Sequence, residues 1–376
     1  MARIQSHPTR RRLLLAGAAS LSLAACGGGS SGAPSVGWRD RWLSVPMPFG
    51  VSQHATAAAA DGSLLVIGGS RGEGILSDAV DRFDPTTSSF TRIGHLSTGR
   101  SEHQAVRLAD GHVLVVGGQT ALSLRAFADL VDPQTGQARP AGEQVLPRVR
   151  HATTRLADGR VLVTGGVARD SAEIWDPATE RWRLVAARMT HDRQHHTHTL
   201  LADGRVLIVG GYAEGANYAF AEIFDPQLES FTPLADARDA TLQRRYFHAT
   251  HRLADGTVLV IGGSYQGLDL APQASVLRID PVPGRITPAP ALATPRTLVK
   301  SLLLPGDQVL MAGGQTGELL ASDHAAVYAP ASQHSAAALP GARAWHSIDT
   351  LPDGRVIVIG GEDANGTLHR SACIYD

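Results

Sequence analysis

An arginine followed three residues later by a histidine recurs along this chain: Arg100 and His103, Arg148 and His151, Arg193 and His196, Arg245 and His248, Arg343 and His346. Half of the pair survives at two more places, as His54 behind Val51 and as Arg296 before Val299. A guanidinium is a rigid fork of donors suited to carboxylates. Arg100, Arg148, Arg193, Arg245, Arg296 and Arg343 could therefore bind an anion or a sugar acid. They could equally pair with acids of the chain itself, such as Asp81, Asp129, Glu173 and Glu222, and both readings stay open. The histidines invite a metal. Zinc needs its nitrogens about 2.1 Å from one point, whereas equivalent residues on packed sheets stand about 10 Å apart. A local set is the better candidate. In the stretch THDRQHHTH, which carries His191, His195, His196 and His198, strand alternation puts His196 and His198 on one face and His195 on the other. With His248 they form a weak metal set, and no metal or cofactor is expected. Acids that could serve a proton transfer are Glu73, Glu214, Glu318 and Glu362. Tyr212, Tyr218, Tyr246, Tyr265, Arg244 and Arg245 mix aromatic and guanidinium character within irregular segments 212–220, 234–246 and 264–275. That mix is enriched at recognition surfaces, and loops on a rigid scaffold commonly carry function. No nucleophile elbow, phosphate loop, zincin helix or EF-hand pattern is present, so no catalytic residue is assigned.

The frame that must position these groups is a repeat. Gly-Gly doublets begin at Gly68, Gly117, Gly165, Gly210, Gly262, Gly313 and Gly360, at intervals of 45 to 52 residues. A period of that length means one supersecondary unit copied and stacked. In residues 148–182, His151 to Leu156 reads as a strand and Asp158-Gly159 as a turn of the mirror-image type I′. Arg160 to Thr164 is an apolar strand covered on both faces, ended by Gly165-Gly166. Ala172 to Trp175 is a third strand stopped by Asp176-Pro177, and Trp182 opens a fourth. Asp-Gly recurs at 61, 110, 203, 255 and 353 and inverts to Gly306-Asp307; Asp-Pro recurs at 84, 132, 225 and 280 and degrades to Ala329-Pro330. The aromatic that opens the fourth strand is Phe90, Trp182 or Phe231, and it is missing at Ala138, Ile286 and Ser335, where the outer edge should be weaker.

Seven copies of four strands resemble the kelch β-propeller family. The resemblance covers residues 38–376 and implies an all-β fold, a seven-bladed kelch-type β-propeller. The sequence ends on a third strand, Ile374-Tyr375-Asp376, while residues 38–45 (WRDRWLSV) precede the first copy with Trp42 in the aromatic role. The N-terminal strand is therefore expected to close the last blade. The family also implies that the first strand of each blade lines a central channel, so that His54, His103, His151, His196, His248 and His346 would be channel-lining.

Residues 1–25 carry Arg10, Arg11 and Arg12 ahead of an apolar run from Leu13 to Ala25, too short for a bilayer, which needs about 20 residues. Leu23-Ala24-Ala25-Cys26 resembles a bacterial lipobox. That resemblance makes 1–25 a removed signal peptide, Cys26 the lipid attachment site and 26–37 a flexible Gly/Ser tether. The paired arginines also resemble a twin-arginine export signal, and general secretion stays open. Removal of 1–25 leaves 30 basic against 35 acidic residues, which speaks against nucleic acid. With Cys26 lipidated, Cys373 has no disulfide partner.

The expected protein is exported, held by its lipid on the periplasmic side or surface of a bacterial envelope, and monomeric. It is read as a non-enzymatic binding or scaffolding module for a glycan or an envelope protein. The alternative is a sugar-acid enzyme resembling a periplasmic sialic-acid mutarotase. A copper oxidase resembling galactose oxidase is disfavoured, because that family needs a Tyr cross-linked to a Cys and Cys373 lies on a repeat strand.

Overall fold

The computed structural model describes residues 39–121, 126–212, 220–238, 245–265, 271–317, 320–329 and 332–376. Within them the chain forms seven four-stranded antiparallel sheets of consecutive strands, except that the short pair Arg245–Tyr246 with Ser264–Tyr265 interrupts the fifth and the N-terminal strand joins the seventh. The first blade holds Ala55–Ala58, Leu64–Ile67, Ala79–Asp84 and Ser89–His95. The second strands are the all-apolar runs, such as Leu64–Ile67, Val113–Val116 and Val206–Val209, and every residue in them is buried. This is what a strand covered on both faces requires. The core accordingly lies between blades. Ala57, Leu65 and Ile67 of the first blade pack with Ala105, Val113 and Val115 of the second. Leu64, Val66 and Phe83 pack on the other side with Ile357 and Ile359 of the seventh.

The seventh sheet runs in the order Trp42–Pro46, Ser371–Tyr375, Val356–Ile359, Ser347–Thr350. The N-terminal strand closes the ring, with Trp42 opposite Tyr375. The first strands, among them Ala55–Ala58, Gln104–Arg107 and Ser347–Thr350, are innermost.

The Asp-Gly turns differ from expectation. A type I′ turn needs both central residues at positive φ, yet Gly159 is at +93° and Asp158 is not left-handed. Gly159 N donates to Leu156 O at 3.1 Å and Leu156 N to Arg160 O at 2.7 Å, giving a three-residue loop with the glycine at the bulge. The Asp158 carboxylate accepts from Arg160 N at 3.0 Å, which fixes the ordinary turn conformation at the aspartate. In the inverted copy both Gly306 and Asp307 are at positive φ.

The Gly-Gly doublets join the blades. The second glycine donates its N–H to a carbonyl of the next blade: Gly69 to Arg100 at 2.8 Å, Gly118 to Arg148 at 2.8 Å, and so around to Gly361, which donates to Val51 at 2.8 Å. The first glycine lies beneath the next blade's histidine. A Cβ on Gly117 would stand 2.3 Å from Arg148 O and 2.9 Å from His151 Cε1. Only a residue without a side chain fits there.

Candidate functional site

The six repeat arginines do not form an exposed binding face. Arg100, Arg148, Arg193, Arg245, Arg296 and Arg343 are each at most 2% exposed. Arg100 pairs with Asp129, Arg148 with Glu173 at 2.9 Å and Arg193 with Glu222 at 2.8 Å. Arg148 and Arg193 also donate to the carbonyls of Gly165 and Gly210. The acid three residues before the Asp-Pro turn is absent from the last three blades, where Leu277, Ala326 and Cys373 stand instead. There Arg245, Arg296 and Arg343 donate to the carbonyls of Ser275, His324 and Ser371 at 2.9 to 3.2 Å. Asp81 pairs with Arg92 at 2.6 Å, because the first copy has Val51 in the arginine's place. Burying six guanidiniums is tolerable only because each meets carboxylates or carbonyls.

The histidines likewise lie between blades rather than facing an open channel. His103 Nε2 meets Ile67 O at 3.1 Å, His346 Nε2 meets Ala312 O at 3.0 Å and His54 Nε2 meets Ser347 Oγ at 3.0 Å, each on the preceding blade. Burial pushes His54, His103, His151 and His248 down to about 3. The weak metal set does not converge. His196 and His198 share a face as expected, but both meet Thr164 Oγ1, at 2.7 and 2.8 Å, while His248 Nε2 meets Thr197 Oγ1 at 3.0 Å. Among the described residues no three His, Cys, Asp or Glu are grouped to hold a metal.

Of the loop candidates, Arg244, Tyr218, Glu214 and Glu318 lie outside the described residues, as does Cys26. Tyr212 is 37% exposed and stands edge-on to Tyr246, centroids 6.1 Å apart. Tyr246 itself is buried at 3%. Tyr265 is half-buried beside Arg245, 5.9 Å from ring centroid to guanidinium. Glu73 is exposed. Glu362 is half-buried, accepts from Ser52 Oγ at 3.1 Å, and has its carboxyl pushed up by burial.

The structure adds a set that the repeat frame did not single out. The residue just before each repeat histidine position is left-handed in all seven blades: Gln53, Glu102, Arg150, His195, Phe247, Leu298 and Trp345, with φ between 51° and 62°. They follow one another around the axis as a collar. Gln53 N donates to Trp345 O at 3.0 Å, Glu102 N to Gln53 O at 3.3 Å, and His195 N to Arg150 O at 3.0 Å. The residues beside them pair with those after the Gly-Gly doublets, as Ser52 with Ser70 and Gln194 with Tyr212. The collar therefore occupies the end of the channel where those loops emerge. Its side chains divide into two arcs. Phe247 and Leu298 are 4% and 2% exposed, and Phe247 reaches Trp345 two blades away with ring centroids 5.6 Å apart. Opposite, Arg150 Nε donates to the buried Glu102 carboxylate at 3.2 Å, with Gln194 Oε1 3.5 Å from the same guanidinium. A left-handed conformation costs a residue with a Cβ about 1–2 kcal/mol. Deeper in the channel lie Lys300, the sole lysine, and Asp349, which accepts from Thr56 Oγ1 at 2.8 Å. Burial pushes Lys300 down to about 8 and Asp349 up to about 6.

A kelch motif model matches residues 53–97, the first blade. No curated protein matches the chain. Among solved structures, a fungal alcohol oxidase of the AA5 family in complex with copper superposes with a TM-score of 0.72 at 18% identity, over 89% of this chain and 76% of that one. At that identity the likeness concerns the fold.

Proposed function

We propose that this kelch-repeat β-propeller is a non-enzymatic, lipid-anchored binding or scaffolding module of a bacterial envelope that recognises a glycan or a protein partner through one propeller face. The observation that carries the reading is where the reactive side chains lie. The arginines and histidines of the repeat are buried between blades, while Gln53, Arg150, Trp345 and Tyr212 remain accessible at the end where the loops emerge. The likeness to the copper alcohol oxidase, at 18% identity, is one of fold. Cys373 is fully buried in a blade, opposite Ser44 and Val358, and the described residues offer no clustered donor set.

One observation favours the second reading, a sugar-acid enzyme resembling a mutarotase. Glu362, held by Ser52, lies beside the collar that contains Glu102, and the raised Glu362 carboxyl could deliver a proton. Two experiments separate the readings. Photo-crosslinking from position 212 in intact envelopes should capture a discrete partner, whereas anomer exchange of sialic acid should run at its spontaneous rate. Catalysed exchange that disappears in Glu362→Gln would replace the binding reading with the enzymatic one. The anchor is tested separately: Cys26→Ala should move the protein from the membrane to the soluble fraction, and a variant that stays with the membrane removes the lipoprotein assignment.

A further inference from the structure

We infer that the open arc of the collar, Gln53, Glu102, Arg150 and Trp345, is a subsite for a neutral saccharide ring, while Phe247 and Leu298 close the channel beneath it. The inference rests on the binding reading and names its ligand class.

Glycine is missing where the collar's backbone would favour it. This chain puts glycine at left-handed positions freely. It does so at both places of every doublet and at six Asp-Gly turns, while after the Asp-Pro turns it uses Gly136 and Gly284 in two blades and Ser88, Glu180 and Glu229 in three, the two glutamates there pairing with Arg139 and Arg183. At the seven collar positions, where glycine would adopt the same φ without strain, it uses none. Strained non-glycine residues persist where the side chain is needed. For Phe247 and Leu298 the need is packing, since both are buried with Tyr246 in one apolar cluster. Packing does not account for Gln53 and Arg150, which are half-buried and polar.

The chemistry of the open arc fits a sugar better than an anion. Its one guanidinium already faces the Glu102 carboxylate, and Glu362 adds negative charge nearby. A carboxylate ligand would find no net positive field. A hydroxylated ring needs donors and acceptors side by side, which the Arg150–Glu102 pair and the Gln53 amide supply. It also needs an aromatic surface: Trp345 packs against the Phe247 cluster on one side and, half-buried, keeps part of its ring accessible at the edge of the arc. His195, 7% exposed and stacked 4.2 Å from Phe247, adds a ring nitrogen, Nδ1, that has no hydrogen-bond partner among the described residues.

The test joins stability to binding in the full-length, detergent-solubilised protein. Gln53→Gly, and the double variant Glu102→Gly with Arg150→Gly that removes the ion pair whole, should melt at or above the wild-type temperature, because strain is relieved. Phe247→Gly should melt below it. Chitotetraose and cellotetraose are the probes. At least one should change the intrinsic tryptophan fluorescence saturably. Trp345→Phe should lose that signal while still binding by titration calorimetry, and by the same calorimetry Trp345→Ala should weaken binding about tenfold or more and the two polar-arc variants should abolish it. A polar arc whose glycine variants melt well below wild type is a structural belt, and that result overturns the inference. So does the absence of any response to both tetrasaccharides. A protein partner still captured from position 212 would in that case leave the binding reading standing without its saccharide subsite.

Discussion

At the residue scale, the buried histidines make the ring acid-sensitive. His54, His103, His151, His198 and His248 are each held down to about 3 by burial. An unfolded imidazole takes its proton near 6.5. Between those values the unfolded chain binds protons that the folded chain refuses, so stability falls as pH drops through that window. Each such histidine removes about 1.4 kcal/mol per pH unit, and the losses add. Asp349 works in the opposite direction, because its raised carboxyl takes a proton earlier in the folded state. The raised carboxyls of Glu362 and Asp81 act with it, and the five histidines outnumber the three acids. Circular dichroism across pH should show cooperative unfolding at a midpoint well above 3. His103→Gln, which retains a donor toward Ile67 O, should move that midpoint to lower pH. A fold that stays intact at pH 3 would contradict the burial of these rings.

The blade is the next scale, and its signature is the glycine doublet. Gly117→Ala would bring a methyl to 2.3 Å from Arg148 O at a φ of +60°, and neither backbone can retreat without opening the blade interface. A loss of about 3 kcal/mol or more is expected. Gly111→Ala is the control. Its φ is +95° but nothing lies within 4 Å, so only the conformational penalty of about 1 kcal/mol remains. Thermal melts should separate the two, and equal losses would refute the close-approach argument. The same contrast explains what was legible beforehand. Doublets, Asp-Gly and Asp-Pro are backbone requirements, and such requirements recur as residue types. The partners Asp129, Glu173 and Glu222 were legible as acids at equivalent places, and their arginines are buried against them between blades. The collar was not legible. Gln, Glu, Arg, His, Phe, Leu and Trp share no side-chain chemistry, and only the common left-handed φ reveals them as one set.

At the scale of the whole molecule, seven stacked sheets leave two apolar faces uncovered unless the first meets the last. The segment before the first blade makes that joint. Trp42–Pro46 adds the fourth strand to the seventh blade, and Trp42 stacks 4.9 Å from Tyr375. The segment reaches the sixth blade as well: Trp42 Nε1 donates to Ala337 O at 2.7 Å, and Asp40 Oδ1 accepts from both Ala337 N and Tyr375 Oη. Deleting residues 38–45 should therefore do more than fray one edge. It leaves Ser371–Tyr375 as an open edge strand, paired only with Val356–Ile359, strips the cover from buried Tyr375 and Cys373, and loosens the blade whose Gly361 N–H holds Val51 O of the first. Because each blade's core is its neighbour's face, the loss should spread around the ring. The deletion variant should melt in a single transition well below wild type and self-associate on size exclusion. Trp42→Ala should reproduce part of the shift. A deletion variant that melts as wild type would mean that the ring closes through the glycine doublets alone, with the N-terminal strand an appendage.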